Sequence, residues 1–214
     1  LGGTARHVGL LSAFPNLIAS LAQLRSAEIT AWLKSRRLMV VIFVFLQCMA
    51  LLLMTMAAFT RMITPSGFIA LVVLFTASSA VAGPAWGSMM SDLVDPAERG
   101  RFFGWRSKIL GFVTIGAALT AGIVLQATKQ LDVFTGFGCL FGAAFVSRLV
   151  SWFYLWEMYE PPLTHSPEHC FTLIQFLRRL RQSNFAKFVM FVSMMSFTVN
   201  LASPFFAVLM LREL

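Results

Sequence analysis

Apolar residues run through this chain in long blocks, and polar residues gather in short ones. Blocks at 8–29, 38–59, 68–90, 109–127, 133–156 and 185–211 alternate with short polar connectors. A helix needs about 20 apolar residues, each rising about 1.5 Å, to cross a bilayer. Each block meets or approaches that length. The connectors are a basic stop at Lys34-Ser35-Arg36-Arg37, a Pro/Gly turn at 60–67, a mixed-charge run at 91–108, a tight link at 128–132 and a Pro-rich stretch at 157–167. The pattern predicts an all-α fold, a polytopic transmembrane helical bundle of about six spans.

The blocks differ in purity. The first carries Pro15, Asn16, Gln23, Arg25 and Glu28, and the last two of these are spaced to pair on one helix face. The second has Gln47 as its only strongly polar side chain. The third contains Gly83-Pro84, which predicts a kink in a continuous helix. Ala118/Gly122 and Gly138/Gly142 are small-xxx-small pairs that let helix backbones approach closely. The fifth block ends in Trp152, Phe153, Tyr154, Trp156 and Tyr159, an interfacial aromatic belt. Arg148, just before that belt, can snorkel outward or face the bundle interior. Residues 171–181 place Phe171, Ile174, Leu177 (or Phe176) and Leu180 on one face and Arg178, Arg179 and Arg181 on another, as in an amphipathic helix at a membrane surface.

Composition fixes the solvent. The chain is 58% hydrophobic and 12% charged, with mean hydropathy +0.78. A soluble domain is roughly 25% charged. The net charge of +8 does not point to nucleic acid, because its basic residues fall in the connectors of a membrane protein. Alternating the spans puts Lys34, Arg36, Arg37, Arg99, Arg101, Arg106, Lys108, Arg178, Arg179, Arg181 and Lys187 on one side. Arg6, Arg61, Lys129 and Arg212 fall on the other, eleven against four. The positive-inside rule makes the first side cytoplasmic. Cys48, Cys139 and Cys170 are scattered, with no disulfide or zinc spacing. The chain starts at Leu1 and ends at Leu211-Arg212-Glu213-Leu214, so it is expected to be a piece of a longer protein.

Three stretches then carry a family resemblance. Asp95-Pro96-Ala97-Glu98-Arg99-Gly100-Arg101-Phe102-Phe103-Gly104 resembles the cytoplasmic loop between the fourth and fifth helices of major facilitator superfamily transporters. Met158-Tyr159-Glu160-Pro161-Pro162 resembles the exit from the sixth helix into the long central loop. Asn200-Leu201-Ala202-Ser203-Pro204-Phe205-Phe206 resembles the seventh helix of bacterial permease-like members. The resemblance implies a partial form of that fold, from the second helix to the seventh. Its domains would be an N-terminal bundle at 1–157 lacking its first helix, a cytoplasmic central loop with an amphipathic helix at 158–184, and the first helix of a C-terminal bundle at 185–214. The implied location is the bacterial inner (plasma) membrane, spanned several times. One departure stands out. The family's loop between helices two and three carries a Gly and an Asp before its basic pair, whereas residues 24–37 here keep only the basic end.

The chemistry points to transport rather than catalysis. His165, His169 and Cys170 are interrupted by Pro167 and read as a linker, so neither metal nor cofactor is expected. No nucleophile, base and acid come together, and an enzyme is not expected. Secondary transporters bind solute near the bilayer midplane. Asn16, Gln47 and Asn200 are uncharged amides inside apolar blocks and are the candidates to line such a cavity. Asp92 sits at a helix C-terminus, where an acid is disfavoured without a cation nearby. Arg36, Arg37, Arg99 and Arg101 are the candidate partners in a cytoplasmic gate. The expected function is alternating-access transport of a small solute across the lipid bilayer, with or without a coupling ion. A non-transporting membrane scaffold on the same fold is the alternative.

Overall fold

Two of the long helices start at a short polar cap. Ser35 caps one helix, its hydroxyl accepting from the Leu38 amide at 3.0 Å. Thr64 caps the next by accepting from Gly67 N at 3.1 Å, with Pro65 in the first helical position, where no intrahelical N–H is needed. The computed structural model describes residues 5–62, 64–128, 132–162 and 184–213, with side chains described at all of these except 5–9, 12 and 200–213. Seven helices fall in this range: α1 (Ala5–Leu24), α2 (Ser26–Leu33), α3 (Arg36–Thr60), α4 (Pro65–Leu93), α5 (Arg99–Thr128), α6 (Val133–Glu157) and α7 (Asn184–Glu213). The fold is all-helical. Among the described residues, α3, α4, α5 and α6 are long and apolar enough to cross a membrane, and α1 and α7 hold shorter apolar stretches at Ala13–Leu24 and Asn184–Val199.

The chain forms two compact units, Leu1–Pro162 and Leu163–Leu214. In the first, α3 is the centre. It packs on α4 and α6, and α1 packs on the other side of α4. Met39, Val40, Val44, Val81 and Ala85 form the buried heart, covered by Trp86, Trp152 and Leu155. Gly138 and Gly142 face α3, where a Cβ at Gly138 would lie 2.9 Å from Phe59 Cζ and one at Gly142 would lie 3.6 Å from Thr55 Cγ2. The α6 glycine pair is therefore a helix-packing surface, as its spacing predicts. In the second unit, α7 covers most of the apolar block expected at 185–211.

Several expectations change. The block at 8–29 is two helices, because Arg25 N bonds back to Ala22 O at 3.1 Å and tightens the chain between α1 and α2. Ser26 then anchors α2, its hydroxyl donating to Val81 O of α4 at 2.9 Å. Pro65 and Gly67 do not end a helix but open α4. The mixed-charge connector at 91–108 shrinks at both ends. Helix α4 runs through Asp92 to Leu93, and α5 starts at Arg99. The reason is a cap written in Asp95-Pro96-Ala97-Glu98: Asp95 Oδ1 accepts from Ala97 N at 2.8 Å, and Asp95 O accepts from Glu98 N and Arg99 N. Trp152 is not only a belt residue. Its Nε1 donates to Val41 O at 3.1 Å and fixes α6 on α3. Ala118 and Gly122 make no close approach, and α5 buries none of its residues. The amphipathic segment at 171–181 lies outside the described residues, as do His165, His169 and Cys170.

Candidate functional site

A cavity of about 440 Å³ opens between α3, α4, α5 and α6. Each wall follows from a local choice of residue. On α3, Gln47 is fully buried between Val44 and Cys48. On α4, Ser79, Ala82 and Gly83 keep the wall thin, and a Cβ placed on Gly83 would meet no atom within 4 Å. On α6, Arg148 and Ser151 line the space, one and two turns from the Trp152 anchor and α6's end. On α5, the extra N-terminal turns bring in Arg106, whose guanidinium lies 4.4 Å from the centre of the Trp86 ring.

Arg148 faces the bundle, and its Nη2 donates to Gln47 Oε1. That bond leaves two buried donors with no protein partner, Gln47 Nε2 and Arg148 Nε. A buried donor without an acceptor costs about 1–3 kcal/mol, and more when charged. No carboxylate lines the cavity. The space is therefore electropositive, with a few polar groups set in a mostly apolar wall. A second hollow, about 350 Å³, sits between α3, α4 and α6 toward the other end, lined by Met54, Phe68, Phe134, Phe137 and Phe141. It offers no polar group to orient a ligand, so the first cavity is the candidate site.

At the Arg36 end lies a separate charged cluster. Arg36 Nη1 donates to Asp92 Oδ2 at 2.6 Å and to Ser88 Oγ at 2.9 Å, and Nη2 donates to Pro161 O at 3.0 Å. The side chains are 3% and 19% exposed, so this is a buried ion pair. Glu160 accepts from Ser35 Oγ and Arg36 N, both at 2.6 Å, and from Arg37 N at 3.3 Å. Burial alone would raise the Glu160 pKa. The Ser35 hydroxyl, the two amides and the Arg36 charge outweigh it and hold the carboxyl below its ordinary value.

The expected residues divide accordingly. Gln47 lines the cavity. Asn16 is exposed on α1 and is not on the cavity wall, and the Asn200 side chain lies outside the described residues. Asp92 pairs with Arg36 and not with the other three candidates. Arg37 donates to Met158 O at 3.2 Å, Arg99 to Val94 O at 3.3 Å, and Arg101 sits 3.7 Å from Glu98 on the surface. Sequence reasoning missed Arg106, Arg148 and Glu160 as site residues. For Arg106 the signal was the Asp-Pro-x-Glu cap that starts α5 early. Arg148 was visible as a charge inside an apolar block. For Glu160, nothing local separates it from Glu157. Among the described residues no cluster of His, Cys, Asp or Glu could hold a metal ion. No protein-family model, curated protein or solved structure matches this chain.

Proposed function

We propose that the chain is part of a multi-pass membrane transporter of the major facilitator type, moving a small solute by alternating access. The observation that carries this reading is the cavity between four apolar helices that is lined by Gln47, Arg106 and Arg148. Gln47 lies eleven residues into α3, about 16 Å from the helix start. That is near the middle of a hydrocarbon core about 30 Å thick. Polar groups at that depth are expensive in lipid and mark solute or ion pathways. The basic residues at the Arg36 end support a cytoplasmic assignment for that end. A bacterial inner membrane fits the resemblance of Asp95–Gly104 and Asn200–Phe206.

A scaffold needs helix packing but no cavity, and the arginine-lined cavity favours transport over that alternative. Reconstituting the protein in liposomes and screening labelled small solutes for uptake tests the reading. Saturable uptake that falls at least about tenfold in Gln47→Leu, beyond any change in folding, supports it. Uptake indistinguishable from empty liposomes across the screen rejects it in favour of the scaffold.

A further inference from the structure

The cavity carries a second, finer statement about what it holds. Two of its polar walls are guanidinium groups, from α5 and α6, and none is an acid. Arg148 is oriented by Gln47 Oε1, and Arg106 is oriented by the face of Trp86. The two unsatisfied groups, Gln47 Nε2 and Arg148 Nε, are both donors. A neutral hydroxylic solute could accept a hydrogen bond from either arginine. It would leave the positive charge inside apolar walls without a counter-ion, which costs about 2.5–3.5 kcal/mol for an arginine at mid-bilayer. A cation would add to that charge.

We propose that this cavity binds a small organic or inorganic oxyanion, a carboxylate or phosphate, between the Arg148 and Arg106 guanidinium groups, with Gln47 holding Arg148 in place. This rests on the reading of the cavity as a solute site. A planar carboxylate matches a guanidinium edge, because two N–H groups can donate to its two oxygens. Gln47, fully buried behind Arg148, fixes that edge through its Oε1. The cavity volume lies within the usual range for small-molecule sites. The depth of Arg148 within α6, far from either helix terminus, favours a soluble solute over a lipid headgroup.

The test uses the full chain in phosphatidylcholine nanodiscs, with succinate, benzoate and inorganic phosphate as probes. Phenylglyoxal modifies accessible arginines, and mass spectrometry locates the modified residues, so the first arm needs no variant. Protection of Arg148 or Arg106 by any one of the three probes, with no protection by methylammonium chloride, is the expected result. The second arm measures the affinity of the protecting probe. Arg148→Gln is expected to weaken it about tenfold or more, and Arg148→Lys less, since a point charge keeps attraction but loses the paired geometry. Gly83→Leu, which adds a side chain where the structure leaves open space, is expected to abolish binding while the protein stays folded. Lack of protection by all three probes overturns the proposal. So does protection only by added phosphatidylglycerol, which would make the counter-ion a headgroup. Unchanged affinity in a folded Arg148→Gln protein overturns it as well. Anion binding without uptake in liposomes would reject transport and leave the site standing. Uptake of an uncharged solute without anion protection would do the reverse.

Discussion

Glu160 is held by donors from the first turn of α3, although it lies beyond the end of α6. Its pKa in the folded protein is lower than its ordinary value of 4.5. The stabilisation it provides is therefore complete above that value and is lost as pH falls through the lowered one. Thermal unfolding in detergent should show an acid limb below pH 4.5 in the native protein. Glu160→Gln should flatten that limb and lower the unfolding temperature at neutral pH. At Asp92, replacement by Asn leaves the Arg36 charge buried. We expect a loss of about 3–5 kcal/mol, read by the same unfolding experiment. Exchanging the two residues, Arg36→Asp with Asp92→Arg, should not restore the native value. Arg36 also donates to Ser88 Oγ and Pro161 O, and an aspartate there has nothing to donate. The Asp92 pairing was legible at this scale, because an acid at a helix C-terminus asks for a cation. The choice of Arg36 over Arg37, Arg99 and Arg101 was not. Adjacent positions 36 and 37 point to different sides of α3, and only the helix's rotation against α4 selects one.

Helices differ in how firmly they are held. The α3–α6 contact is close because Gly138 meets Phe59 and Gly142 meets Thr55. Gly142→Ala should be nearly neutral, since its Cβ reaches only ordinary contact distance. Gly138→Leu should separate the helices at that point and destabilise by about 1–3 kcal/mol through overpacking, as measured by chemical or thermal unfolding. Gly122→Ala on α5 should change nothing in the described unit, because nothing lies near it. Identical small-xxx-small spacings thus have different outcomes. Spacing specifies that a helix can be approached closely, not that a neighbour arrives. Helix boundaries were legible wherever a cap and a proline coincide, as at Thr64-Pro65 and Asp95-Pro96. The break at Arg25 was not, because it shows only in the Arg25 N to Ala22 O bond and in the anchoring of Ser26 on α4, which no local signal announces.

For the whole molecule, the class of fold was legible from hydrophobic block length and from the shortage of charge. These follow from the bilayer's thickness and dielectric and need no knowledge of packing. The exposed Phe112, Leu119 and Ile123 on α5 fit the same solvent, since in water they would form a large apolar patch. The cavity was legible only in part. Gln47 announced itself as a lone amide, but the meeting of Arg106 with Arg148 depends on how four helices pack. Raising ionic strength should leave the buried Arg36–Asp92 pair intact and weaken Arg61–Asp132, whose side chains are 62% and 25% exposed. Unfolding temperatures of Asp132→Asn and native protein should therefore converge as salt increases, while those of Asp92→Asn and native protein stay apart.

The fastenings of α3 have a mechanical consequence. At one end its first turn grips Glu160, just past α6. At the other, Arg61 Nη2 reaches Asp132, just before α6, at 2.6 Å. A rod tied at both ends to its neighbour resists sliding along it. A ratchet of one helical turn, about 5.4 Å, would have to release both ties together. Sliding of α3 along α6 would therefore have to break the Glu160 contacts at one end and the Arg61–Asp132 pair at the other in the same step.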